Sequence, residues 1–401
     1  MALLPVAEAL TRILDCVEPA AAETVPLMQA AGRVLAADVA AKHNQPPFTA
    51  SAMDGYAVRG GDVAVLPATL EIIGESAAGR PWAGTLGAGE AVRIFTGAIL
   101  PEGADGIVIQ ENTDRVGARV VVRDGTPEAV HIRAEAMDFK AGAVLLRAGR
   151  IMTPRAIMLA AAMGHATLPV RAKPRVAILA TGDELIPPGS TLRRGEIVSS
   201  NPFAVAALVA AAGGEPIDLG IVRDTRADLD RKITEAGDAD ILVTIGGASV
   251  GDHDLVAPAL QARGLSLDFW KIAMRPGKPM LFGRRGRQRV LGLPGNPVSC
   301  LVCGRVFLVP LVKRLLGSDV EAESHERAVL AHPLDANGPR THYMRATLAR
   351  SSDGPLFTTA LPSQDSSLIG QLALADCLIV RQAGAPAAAA GEAVSILRLD
   401  F

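Results

Sequence analysis

The chain has 401 residues, 49% of them hydrophobic and 3% aromatic, and 40 Lys+Arg against 42 Asp+Glu give a formal net charge of −2. That length and apolar content predict roughly two to four separate cores, while the near-balance of charge, without a basic block or acidic tail, excludes the extended positive field that nucleic-acid binding needs. The start MALLPVAEALTRILDC lacks a basic leader and no stretch stays apolar long enough to span a bilayer, so no membrane partner and a cytoplasmic location are expected.

In chain order, PVAEALTRILDCV has apolar residues at helical spacing, and PLMQAAGRVLAADV predicts a short helix running into a strand. From about residue 50 to 150 the pattern changes to short β-type runs such as ATLEIIG, GEAVRIF, ADGIVIQE and ARVVVRDG, punctuated by Gly and Pro. TPRAIMLAAAMG returns to helix, with Thr153 as N-cap and Pro154 in the first turn. Between about 173 and 315, apolar strands (RVAILAT, ADILVTIGG, RVLGLPG) alternate with helices (NPFAVAALVAAAGG, TRADLDRKITEAG, NPVSCLVCGRVFLVPLVKRLL). This predicts a mostly parallel sheet covered on both faces, with its site at the strand C-terminal ends. From about Glu323 short strands resume, with turns at DANG and SSDG.

Cys16, Cys300, Cys303 and Cys377 are too few and scattered for a disulfide framework. Cys300 and Cys303 form a C-x-x-C inside an apolar helical run with no second ligand pair at zinc spacing, so buried thiols are expected.

The chemistry gathers in loops of the central segment. LATGDEL sets Thr181, Gly182, Asp183 and Glu184 after one strand, and GGASVGDHD sets Ser249, Asp252, His253 and Asp254 after another. VLGLPGNPVS leads through Pro294, Gly295, Asn296 and Pro297 into a helix whose first N–H groups suit an anion. WKIAMRPGKPM crowds Lys271, Arg275 and Lys278 around Pro276, Gly277 and Pro279, which preclude regular helix. These cations beside Glu184, Asp224, Asp252 and Asp254 suggest a phosphate-bearing ligand bridged by Mg²⁺. No G-x-x-x-x-G-K-[ST] or convincing dinucleotide fingerprint follows any strand, and the histidines lie at no metal spacing, His253 alone adjoining a candidate loop. Outside this segment, QPPFTASAMDGYAV puts Asp54 beside Gly55, and RIFTGAILPEGADG carries Thr96-Gly97; each reads equally as a preorganised group or as plain turn chemistry.

Taken together and in order, PPFTASAMDGYAV, RIFTGAILPEGADGIVIQE, LATGDEL, GGASVGDHD, MRPGKP and GLPGNPVS resemble the MoeA family of molybdopterin molybdenumtransferases, which includes the gephyrin E-domain. The resemblance runs over essentially the whole chain. It implies multidomain α/β plus β architecture: a helical linker domain from 1–24, 139–172 and about 42–50, an inserted β-domain at 25–138, a three-layer α/β molybdopterin-binding-like domain at 173–322, and a C-terminal β-barrel at 323–401. It also implies a homodimer with a shared cleft, in which Asp54 crosses to the other subunit.

The implied reaction inserts molybdenum from molybdate into adenylylated molybdopterin, with Mg²⁺-dependent release of AMP. The substrate's dithiolene supplies the soft donors, so no cysteine ligands are needed. Carried over by motif, Asp54, Thr96, Glu184 and Asp254 are the catalytic positions, the three acids also holding metal. Asp224 and Asp138 are further cleft acids, while Lys271, Arg275, Lys278, Ser249 and the loop at Pro294, Gly295, Asn296 and Pro297 meet phosphate or molybdate. Arg345 in YMRATL and Ser366 in SQDSSL are implied on the molybdate side. Thr49 stands where many relatives have an acid, and Arg275 where some have Lys. The resemblance also implies transient contacts with the molybdopterin adenylyltransferase and molybdoenzyme chaperones. The alternative it carries is a non-catalytic pterin- or nucleotide-binding scaffold like the gephyrin E-domain.

Overall fold

The protein is described by a computed structural model over residues 3–125, 127–247, 255–318, 325–350 and 354–399. Ser249, Asp252, His253 and Asp254 lie outside the described residues.

The central module is a six-stranded sheet in the order Glu215–Val222, Arg175–Thr181, Ile241–Ile245, Gln288–Leu293, Leu281–Arg285, Ser266–Trp270. The first four strands are parallel; Leu281–Arg285 runs antiparallel to both its neighbours. Continuous apolar strands arise because both faces are covered. Val176 and Ile178 pack with Val205, Val209 and the helical run that starts at Pro297, whereas Ala177 and Leu179 pack with Leu229, Ile233 and Leu260. The long helix predicted from NPVSCLVC onward is Pro297–Cys303, a π-turn at Gly304–Leu308, and Val309–Leu315. Pro310 lacks the N–H that a regular ladder would use there, which accounts for the local widening. Cys300 and Cys303 are buried free thiols in this run, and burial pushes the Cys300 thiol up to about 12.

Residues 6–26 divide between modules. Helix Val6–Leu14 buries Ala9 and Ile13 in the α/β core and packs on Val309–Leu315. Its C-terminal end is held by Arg284 Nη2 donating to the Arg12 carbonyl at 3.1 Å, and Arg289 Nη2 to that of Cys16 at 2.8 Å. Strand Ala22–Pro26 instead pairs antiparallel with Thr167–Arg171 in the linker module. That module's core joins Leu35, Phe139, Leu146, Met152 and Leu168 to helix Pro154–Ala162, where Thr153 Oγ1 accepts from Ala156 N at 3.4 Å. The helix expected in PLMQAAGRVLAADV is a 3₁₀ turn at Leu27–Gln29. The Leu27 N–H is taken by the Ala166 carbonyl and Gly32 turns left-handed at φ +72°, so a longer helix cannot propagate.

The inserted β-module is a six-stranded sheet ordered Gly106–Ile109, Gly55–Val58, Glu90–Ile94, Ala68–Ser76, Arg119–Val122, Thr113–Val116. Its alternation serves two cores, Tyr56, Val58 and Val108 on one face and Ala57, Val92 and Ile107 on the other. In the C-terminal module five strands close into a barrel: Thr341–Arg350, Leu356–Ala360, Glu326–Leu330, Ala393–Arg398 and Cys377–Arg381, the last pairing back to the first. Met274–Arg275 adds to this barrel in parallel, Arg275 opposite His342. The cation-rich loop of the α/β module is thereby stitched to the barrel. Among the described residues no helix is long and apolar enough to cross a membrane.

Candidate active site

A cavity of about 1060 Å³ opens where the parallel strands end, at Thr181, Ile245 and Pro294, as an open α/β sheet dictates. One side carries Glu184 and Asp224. The Asp224 carboxyl is held above its ordinary range by loss of solvent, and further by the negative charges of Asp183 and Glu184. The lining also includes Arg275, Lys278 and, from the barrel module, Arg340.

The cation loop is shaped by local bonds. Lys271 N donates to the Met280 carbonyl and Ile272 N to that of Lys278, both at 3.0 Å, so the loop closes on itself. Arg275 and Lys278 line the cavity, whereas Lys271, at the closing pair with φ +99°, is not among its lining residues. Gly277 sits at φ +105° with the Cys303 sulfur where a Cβ would be. Gly277→Ala is therefore expected to destabilise the protein by about 2–4 kcal/mol, from left-handed strain plus overpacking. Adding Cys303→Ala should restore only the packing part, and urea midpoints of the single and double variants measure both.

Pro294, Gly295, Asn296 and Pro297 all line the cavity, as does Ser366. Asn296 Nδ2 donates to Ser366 Oγ at 3.0 Å, Val298 N to the Ser366 carbonyl at 3.1 Å, and Asn201 Nδ2 to the Gly295 carbonyl at 2.7 Å. Arg345 has a different place from the one implied. It is 1% exposed and donates to the carbonyls of Ser363, Asp365 and Leu368 at 3.0, 2.8 and 3.0 Å, so it shapes the loop that carries Ser366 and does not reach the cavity.

Sequence reasoning missed Arg340, His342 and Ser199. Arg340 lines the cavity, brought there by the long-range pairing of Met274–Arg275 with the barrel, and His342 lies opposite Arg275 in that pairing without lining the cavity. Burial, then Arg275, Arg340 and Arg345, lowers the His342 imidazole to about 4 and leaves it neutral. Thr181 Oγ1 and Ser199 Oγ are buried at the cavity wall without a hydrogen-bond partner among the described residues. The run SSNP before a helix was the available signal for Ser199.

Asp54 and Thr96 form a separate unit in the inserted β-module. Asp54 Oδ1 accepts from Thr96 N and from Thr96 Oγ1, both at 2.8 Å, and these bonds, the backbone one first, hold its carboxyl below the usual range. A Cβ on Gly55 would overlap the Val108 carbonyl, so glycine is what lets the strand after Asp54 pair closely. Asp54, Thr96 and the exposed Asp138 do not line the α/β cavity of their own chain.

The fold and cavity first define a class: residues 177–314 match a family model described as "Probable molybdopterin binding domain". Residues 4–164 match the MoeA N-terminal region (domain I and II) and 327–399 the MoeA C-terminal region (domain IV). The chain is 35% identical over 381 residues, 94% of each chain, to a molybdopterin molybdenumtransferase of Haemophilus influenzae. It is 37% identical to that of a Nostoc species, over 94% of this chain and 89% of the other. A crystal structure of a molybdopterin biosynthesis MoeA protein from Pyrococcus horikoshii OT3 superposes with a TM-score of 0.83 at 27% identity, covering 99% of this chain and 100% of that one. This chain belongs to the MoeA family.

Proposed function

We propose that the chain is a transferase of molybdenum cofactor biosynthesis, a molybdopterin molybdenumtransferase that inserts molybdenum from molybdate into adenylylated molybdopterin as AMP is released. The observation that carries this reading is one cavity whose lining combines Glu184 and Asp224 with Arg275, Lys278 and Arg340. Such a site suits a diphosphate ester together with a tetrahedral oxyanion. Arg275 and Lys278 bind phosphate or molybdate oxygens and offset the charge that grows as the phosphoanhydride opens. Ser366, braced by Asn296, donates beside them.

Among the described residues no group of three or more His, Cys, Asp or Glu side chains forms a ready metal cage. Glu184 and Asp224 nevertheless fit Mg²⁺, because a cation would offset both the desolvation that chiefly raises the Asp224 carboxyl and the smaller repulsion from Asp183 and Glu184. Bound there, Mg²⁺ supplies charge neutralisation to the departing phosphate. Asp254 and a second copy's Asp54 are the further carboxylates of the proposed site. That Asp54 and Thr96 do not line their own chain's cavity supports a homodimer whose cleft draws on both chains.

The direct test is turnover of adenylylated molybdopterin with molybdate and Mg²⁺, read as AMP and cofactor formed; folded protein that forms neither would refute the proposal. A pH dependence follows as well. Because loss of solvent, and then Asp183 and Glu184, raises the Asp224 carboxyl, it takes up its proton above its own ordinary range as pH falls, and kcat/KM should decline with it. Raising Mg²⁺ favours the ionised form and should move that limb to lower pH. A limb indifferent to Mg²⁺ would count against Asp224 as a metal-side group.

A further inference from the structure

A second cavity, about 520 Å³, lies beside the first, and Gly182, Leu185, Ser199 and Pro202 belong to the walls of both. Its chemistry differs. The wall is largely apolar, from residues 185–188 and the start of helix Asn201–Ala211, where Phe203 is 57% exposed. Three carboxylates converge on it, each already oriented by a backbone N–H. Asp218 Oδ1 accepts from Gly220 N at 2.8 Å, Glu196 Oε2 from Arg193 N at 2.9 Å, and Asp183 Oδ1 from Asp224 N at 3.3 Å. Arg223 adds a guanidinium to the same wall. Ser199, 3% exposed, has a buried Oγ without a hydrogen-bond partner.

We propose that this second cavity receives the pterin ring of the substrate, so that the molecule straddles the shared wall with its diphosphate in the main cavity; this rests on the function proposed above. A cavity of this size with an apolar lining and a few converging polar groups suits a flat heterocycle. An exposed phenylalanine at the wall offers a stacking face. The 2-amino-4-oxo edge of a pterin presents an amino group and an adjacent ring N–H as two parallel donors, which a fixed carboxylate accepts together. Its oxo oxygen takes a donor such as Arg223. Adenine instead sets its amino group between ring acceptors, so a carboxylate there gains one hydrogen bond and meets a lone pair. The carboxylate-rich wall therefore selects the pterin end over the adenine end.

The test titrates the full-length protein with free pterin (2-amino-4-oxopteridine), followed by its fluorescence, and separately with AMP. Asp218→Asn should weaken pterin binding about tenfold or more by removing a charge-assisted pair. Phe203→Ala should weaken it about tenfold through lost stacking. AMP affinity should change less than about twofold in both, and AMP should not displace pterin. Absence of pterin binding, pterin affinity indifferent to both substitutions, or loss of AMP in its place would overturn the assignment. Turnover by the unsubstituted protein, assayed alongside, separates the two readings. Turnover with indifferent pterin affinity removes the second cavity's role and leaves the function, whereas absent turnover removes the function.

Discussion

Asp54→Ala is expected to lower kcat/KM for adenylylated molybdopterin about 10²–10³-fold, the usual effect of removing one preorganised charged group from a closed site, with thermal unfolding unchanged. The second half of the expectation comes from the surroundings. Thr96 is exposed, so water replaces the carboxylate at its N–H and hydroxyl and no buried donor is left unsatisfied. Asp54→Asn separates charge from position. Its amide oxygen still accepts from Thr96, so if it is as slow as the alanine variant, the negative charge is what the reaction requires. Rates near the unsubstituted protein would instead make Asp54 a structural acceptor for the Thr96 turn.

Glu184→Gln is the second large effect, again about 10²–10³-fold in kcat/KM, and it carries two signatures that a structural role would lack. The Mg²⁺ concentration for half-maximal rate should rise, because one of two carboxylates on that side of the cavity becomes neutral. The Asp224 carboxyl, raised in part by Glu184, should fall toward its ordinary value, so the residual activity should persist to lower pH. Unchanged Mg²⁺ dependence together with an unmoved acid limb would take Glu184 out of the metal-side assignment.

Much of this arrangement was legible because it follows from local physics. RVAILAT and ADILVTIGG are near-continuous apolar runs, the pattern of strands in a sheet covered on both faces, and that sheet fixes where its loops gather. What escaped depends on contacts remote in sequence. The amphipathic pattern of helix Val6–Leu14 marks a buried face but not which core receives it. Among three cations in one short loop, Arg275 and Lys278 line the cavity and Lys271, whose backbone N–H bonds the Met280 carbonyl at the loop's closure, does not. Arg345 lies in a strand whose neighbours Tyr343 and Ala346 are buried, so a guanidinium there satisfies carbonyls rather than an oxyanion. Arg340 carries no motif of its own; the pairing of Met274–Arg275 with the barrel brings it to the cavity, where Ser199 lies on the wall shared with the second cavity.

The central claim is that one chain's Asp54 completes the cavity around another chain's Glu184, and mixing two inactive proteins tests it most directly. Asp54→Ala and Glu184→Ala, each inactive alone, are unfolded together and refolded at equal concentration. If the cleft is shared, half of the random dimers are mixed and each holds one intact site, so about a quarter of the unsubstituted activity should return. No recovery from a mixture shown to contain mixed dimers, or full activity in a chain that stays monomeric, would contradict the account.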